Sequence, residues 1–271
     1  MLIAKNFTAA AVLLSCALVA TSANAHFQLL YTPELLRDKG GNITLKMPFT
    51  HPAANGHVMD VAAPQAFYSV RKGRKQDLLE SIKTTTWSSA ENTGTSYEAD
   101  VTLRGLGDHV FILEPAPYLE EEEGAYIQQI TKSIVNVGSL PTDWSTDFQL
   151  KAEIVPLTKP YAIYAGSNFR AVVKSAGKPV PNAEIEIEYV NYQPDLNTNR
   201  FSDQPTVVPP APAFITQTIF ADQNGIINFT LPFAGQWGFA ALGVGPDTSY
   251  QGKPLSQDAV IWVQAHEVKA K

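Results

Sequence analysis

The sequence predicts a mainly β protein built as two β-sandwich-like domains, and three observations carry that prediction. Helical periodicity is scarce along the 271 residues, whereas short stretches of alternating apolar and polar residues recur. Those stretches are bounded by Gly, Pro, Asn and Asp, the residues that turn a chain. A change of pattern at Val155–Pro160 divides the chain into residues 26–155 and 156–271.

The elements follow in order. Residues 1–25 read as a secretory signal: Lys5 gives a positive start, Ala9 to Ala20 an apolar core, and Ala23-Asn24-Ala25 a small-residue cleavage site. The core is too short to span a bilayer, which takes about 20 residues. Leu13-Leu14-Ser15-Cys16 offers acylation at Cys16 as an alternative, but the residues after it stay apolar and cutting there would truncate the core. In the 26–155 domain, "NITLKMPF", "SYEADVTL" and "DFQLKAEIVPL" alternate as half-buried strands, and "DHVFILEP" is a nearly continuous apolar strand. Residues 76–83 present Leu78, Leu79 and Ile82 at helical spacing and predict one short helix. Beyond the boundary, "GKPVPNA" and "ADQNG" read as turns of two strand pairs, with Ile185, Ile187, Tyr189 and then Ile227, Phe229, Leu231 facing inward. This order resembles small immunoglobulin-like or transthyretin-like sandwiches, a resemblance of fold and not of function. The Pro- and Asn-rich stretch 191–214 between them reads as a long surface loop reaching toward the first domain.

Composition narrows the function. The whole chain has 20 basic and 26 acidic residues; losing Lys5 with the signal leaves 19 − 26 = −7. An acidic exported protein does not suit nucleic acid, whose binding rests on neutralised phosphates. The single cysteine, Cys16, lies in the signal, so the mature chain has no disulfide, thiolate ligand or cysteine nucleophile. Signatures of serine hydrolases, zinc peptidases and phosphate-binding loops are absent, and "GLGDHV" lacks the third glycine of a dinucleotide fingerprint. No catalytic residue and no enzyme activity are therefore expected.

The five histidines are the informative feature. Cleavage after Ala25 makes His26 the mature N-terminus, and its α-amine and Nδ1 can then chelate one ion. The amine has a pKa of only about 7.7–8.0, so a metal competes with a weakly held proton. His51 and His57 flank a Pro-Ala-Ala-Asn-Gly turn that folds them toward each other, and His109 opens an apolar strand at a sheet rim. His26, His51, His57 and His109 are the candidate metal ligands, and His266 reads as part of a surface tail. Glu120–Glu123 form a solvated acidic run, or bring one carboxylate and a neighbouring tyrosine over the metal. Met59 and the four tryptophans read as core.

"AHFQLLYTP", "PFTHPAANGHVMD", "EPAPYLEEEEGAYIQQITKSIVNV", "PTDW" and "DAVIWVQAH" resemble a bacterial family of exported proteins of the NikK type, periplasmic components of cobalt/nickel transport long filed as a domain of unknown function. The resemblance spans nearly the whole mature chain and implies a periplasmic Ni(II)- or Co(II)-binding protein that serves a cobalt/nickel membrane transporter. Its binding positions here are His26, His51, His57 and His109. A copper carrier, or a copper redox enzyme with a histidine brace, is the alternative on the same N-terminal histidine. A metal-free structural protein is the third reading.

Overall fold

The computed structural model describes residues 26–268; residues 1–25, where a signal is expected, lie outside the described residues. Two β-sandwiches share one long sheet. The strand Ala125–Val137 is its hinge: it pairs antiparallel with Gly107–Glu114 on one side and parallel with Lys253–His266 on the other. Gly107–Glu114 is almost wholly buried and Lys253–His266 is buried through its middle, Gln257–Val263, which accounts for their continuous apolar runs. The sheet continues outward through Ala66–Arg71 and Arg74–Asp77 at one edge, and through Gly235–Ala241, Glu184–Tyr189 and Thr216–Phe220 at the other.

On the N-terminal side this sheet faces Gly41–Lys46, Thr93–Leu103 and Ile82–Ser88. Ile43, Leu45, Tyr97, Ala99 and Leu103 meet Phe67, Val70, Val110, Ile112 and Ile134 in one core. On the C-terminal side it faces Ala152–Pro156, Asn168–Ser175 and Ile226–Thr230. There Ile154, Phe169, Val173 and Ile227 meet Ile185, Ile187, Phe239 and Ile261 in a second core. The mainly β, sandwich-like architecture is as the alternation predicts.

Four local expectations are corrected. Residues 76–83 do not form a helix: the strand Arg74–Asp77 gives way to a single 3₁₀ turn, Leu79–Ser81, and then to the strand Ile82–Ser88. Leu78 is buried while Leu79 is exposed, so no helical face is buried there. The long strands flanking "GKPVPNA" and "ADQNG" do not pair with each other as hairpins, although Asn168–Ser175 turns back briefly on Lys178–Pro179. Asn168–Ser175 pairs with Ile226–Thr230, and Glu184–Tyr189 with Thr216–Phe220, so each turn carries the chain across from one sheet to the other. The stretch 191–214 is not all loop: Tyr192–Asp195 and Arg200–Pro205 form a hairpin, and Arg200 pairs with Ser88 of the N-terminal sandwich. His266 is no tail residue; it ends the last strand, with Nε2 2.9 Å from the Tyr161 carbonyl.

A third, smaller core decides where the histidines go. Phe27, Leu29 and Tyr31 pack with Trp87, Val190, Phe201, Val260 and Trp262, covering the outer face of the shared sheet. The N-terminal segment is thereby laid across both sandwiches. Three of the four tryptophans are buried, Trp144 is partly buried, and Met59 is core.

Candidate functional site

The site begins with a register. Phe27 pairs antiparallel with Thr50, and Gln28 with Phe49, while Thr50 also bridges to Val58. Phe27, Thr50 and Val58 thus form a row across three adjacent segments. Continuing the register by one residue aligns His26, His51 and His57, and residues opposite one another across strands project to the same face. The His26 and His51 rings accordingly lie with centroids 4.6 Å apart. His51 is buried and His57 exposed at the rim.

The turn between them is built for close approach. Asn55 takes a left-handed φ of 53°, and the amides of Ala54 and Gly56 both donate to the His51 carbonyl. A Cβ on Gly56 would stand 3.0 Å from His51 Cβ and 3.2 Å from its Cδ2, so only glycine leaves the imidazole its place. The turn is held from the C-terminal sandwich: the Ala53 amide donates to Glu188 (3.3 Å), and the Asn191 amide nitrogen donates to the Pro52 carbonyl. Burial raises the Glu188 carboxyl to about 8, so it is largely protonated at neutral pH.

The N-terminal strand is held by Gln129, buried on the long hinge strand. Its Nε2 donates to the His26 carbonyl and its Oε1 accepts from the Gln28 amide, both at 2.7 Å. One side-chain amide therefore supplies the two hydrogen bonds that a neighbouring strand would otherwise give. Asp258, buried behind it, accepts from Gln129 Nε2 at 3.4 Å, and the Trp262 indole donates to the Gln28 carbonyl at 3.0 Å. Phe27 packs edge-on against the same indole, 5.8 Å between centroids.

His26 Nε2 lies 3.2 Å from Glu120 Oε2, with both side chains about four-fifths covered. Burial, reinforced by the positive charges available to His51 and His57, lowers the His26 pKa to about 4. Its ring is neutral at pH 7, and its Nε2–H donates to the carboxylate, leaving Nδ1 as the free lone pair. Tyr118, on the strand Tyr118–Glu120 just before the acidic turn, approaches the same ring at 6.5 Å. Of the four glutamates, Glu120 alone lies in that strand; Glu121–Glu123 make the exposed turn. His57 Nε2 lies 3.3 Å from Asn92 Nδ2. Asn92 is itself clamped to both backbone groups of Val58, which orients its N–H group toward the ring.

His109 is not brought to this cluster. It sits opposite Val135, six residues along the hinge strand from Gln129, or about 20 Å at strand rise. It is buried there, its Nε2 3.4 Å from the Gly105 carbonyl, and burial lowers its pKa. Its neighbour Asp108 accepts backbone N–H groups from Thr142, Asp143 and Trp144, which explains "PTDW" as a clasp around a buried carboxylate. Sequence reading missed Gln129, Asn92 and Glu188, whose signals, a Gln in a strand and an Asn or Glu near a turn, are common to any β protein. Among the described residues no group of three or more His, Cys, Asp or Glu side chains closes around a common point as a metal cage.

Residues 23–245 match the family described as "Domain of unknown function (DUF4198)". The chain belongs to that family. No curated protein matches its sequence. Among solved structures it is similar to the D0-D1 domain of intimin, at 14% identity over 86% of this chain and 94% of that one, with a TM-score of 0.21. Domains A168–A170 of titin match at 10% identity over 88% and 62% of the two chains, TM-score 0.21. A third match is dimeric latent PorU from Porphyromonas gingivalis, at 9% identity over 89% and 20%, TM-score 0.23. Superposition that slight bears on nothing beyond the β architecture of this DUF4198 protein, which its own strand pairing already establishes.

Proposed function

We propose that this protein binds a divalent transition metal, Ni(II) or Co(II), as exported cargo for uptake by a cobalt/nickel membrane transporter. The observation that carries the reading is the aligned row of His26, His51 and His57 at the start of the described chain. The His26 and His51 imidazoles stand side by side, and the backbone nitrogen of residue 26 is the further ligand the chelate needs. Before export processing that atom is an amide and a poor ligand; cleavage after Ala25 makes it an amine beside Nδ1. The Glu120 contact at Nε2 supports the chelate, because it leaves Nδ1 unprotonated on the ring edge nearer the backbone. His51 supplies a third nitrogen and His57 a fourth from the rim, while His109 plays no part. A site with an exposed fourth ligand exchanges its ion readily, as transport requires. Periplasmic location follows from the expected signal.

Copper is the second reading, favoured by one feature. An amine, Nδ1 and a second imidazole make a planar nitrogen set, which suits Cu(II) as well as Ni(II). The test is calorimetric titration of Ni, Co, Cu and Zn into protein whose N-terminal His26 has been verified by mass spectrometry, alongside a form retaining one residue before it. Tight 1:1 binding that the extra residue weakens at least tenfold supports the chelate; equal affinity in both forms refutes it. No binding of any of the four ions refutes the metal role. Copper-dependent oxidation of a substrate by oxygen would replace the transport reading with the copper one.

A further inference from the structure

Lys46, which is buried, forms a triad with the partly buried Glu98 and Asn199 that the metal site does not use. Lys46 and Glu98 face each other directly across Gly41–Lys46 and Thr93–Leu103, and the lysine Nζ is hydrogen-bonded to the Glu98 carboxylate. The same Nζ donates to Asn199 Oδ1 at 2.6 Å. Asn199 sits in the turn of the crossing hairpin 192–205, at a left-handed φ of 52°, and its Nδ2 donates to Thr85 Oγ1 at 2.7 Å. An ammonium only donates, so the amide must present its oxygen to the lysine and its nitrogen to the threonine. The Lys46 side chain is 5% exposed and that of Glu98 21%.

From this geometry we infer that Lys46 and Asn199 become joined by an intramolecular amide, with Glu98 as the proton carrier. The amide carbon lies one C=O bond, about 1.2 Å, beyond Oδ1. A turn of the lysine terminus over the amide face therefore brings Nζ within the ~3–3.5 Å of a near-attack arrangement. Glu98, already hydrogen-bonded to the ammonium, takes a proton from it. The Nζ lone pair then adds to Cγ, forming the C–N bond and moving the carbonyl electron pair onto Oδ1. Glu98 returns its proton to Nδ2, the carbonyl re-forms as the Cγ–Nδ2 bond breaks, and the second Nζ proton leaves with the departing nitrogen. The balance is one ammonium out per amide formed, with Glu98 recovered as carboxylate and no outside reagent.

Such a bond has a reason to exist in this chain. The mature protein has no cysteine, so no disulfide can staple it. The hairpin that Asn199 turns is the C-terminal sandwich's strand contact on the sheet of Ile82–Ser88, made through one residue pair, Arg200 with Ser88. A covalent link from Lys46 secures that contact and closes a loop of some 150 residues, and a long loop restricts the unfolded chain more than a short one.

The experiment is intact mass spectrometry of the purified mature protein, with peptide mapping. The expected mass is lower than the sequence mass by one ammonia, about 17 Da. Trypsin should fail to cut after Lys46, and one branched peptide should contain residues 46 and 199. Lys46→Arg, Asn199→Asp held at neutral pH and Glu98→Gln should each restore cleavage or full mass. Glu98→Gln, which keeps the side-chain shape, should also lower Tm on the order of 10 °C. Succinimide at Asn55-Gly56 or Asn224-Gly225 also loses ammonia, but that loss maps to one unbranched peptide and would overturn the proposal. So would an unaltered wild-type mass, or a branched peptide that persists in Glu98→Gln, which would remove Glu98 from the chemistry.

Discussion

Replacing Gln129 with Ala tests how the N-terminal histidine is positioned. The substitution removes the acceptor of the Gln28 amide and the donor to the His26 carbonyl, each at 2.7 Å, on a residue that is 3% exposed. A buried backbone group left without a partner costs about 1–3 kcal/mol, so two cost roughly 2–6 kcal/mol if the strand stays in place. The strand need not stay. Phe27 and the Trp262 bond to the Gln28 carbonyl still hold it, so the chain chooses between the orphaned groups and a local undocking of residues 26–28. Either way the free energy falls on the segment that carries His26 and spares both main cores. We expect the Gln28 amide to exchange with solvent at least tenfold faster while amides of Gly107–Glu114 are unchanged. Metal affinity of the processed protein should fall by a comparable factor, since 1.4 kcal/mol is tenfold in Kd. Normal Gln28 protection together with unchanged affinity would refute the account of Gln129 as the clamp.

Acidification supplies the second prediction. The folded pKa of His26 is about 4, below the 6.5 of a free histidine, so the unfolded state binds the extra proton first. Stability contributed by the neutral ring is present above about 6.5, declines as pH falls toward 4 and is fully lost below it. The loss amounts to at most about 3 kcal/mol, and comparing urea melts of wild type and His26→Gln at pH 7 and 4 measures it. Gly56→Ala should displace the His51 ring, lowering metal affinity about tenfold or more while leaving overall stability within ~1 kcal/mol, as read by calorimetry and urea melts. Lys132 and Glu153 form a buried pair at 2.6 Å that ties the hinge strand to Ala152–Pro156. Lys132→Met alone should cost about 3–5 kcal/mol in urea denaturation, and adding Glu153→Gln, which ends the isolated charge, should recover part of it.

Alternation and turn residues were enough to make the sandwich architecture legible, because burying one face of a strand writes itself into every second residue. The same local signal misled around residues 76–83: three apolar side chains fit a helical face, yet strand pairing on both sides left room for a single turn. It misled again at "GKPVPNA", since a turn looks the same whether its strands pair or cross between sheets. At the site, His26, His51 and His57 were visible as residue types and spacings, and Glu120 was one of four equal glutamates. What placed Glu120 on the ring was the pairing of Tyr118 with Ile127, which sets the hairpin beside the N-terminal strand.

By itself, then, the sequence determined the β class, most of the strands and the imidazoles available, all of which depend on local composition. Tertiary structure alone decided which of those imidazoles meet. Phe27 pairing with Thr50, and Thr50 with Val58, are contacts between distant segments, and a shift of one residue would turn His26 away from His51. His109 lies in as apolar a strand as any, but the register carries it far down the sheet, and no local pattern encodes that distance. The meeting of Lys46 with Asn199 has the same origin: residues 153 positions apart are brought together by the path of a hairpin whose Pro- and Asn-rich sequence carries no alternation to mark it.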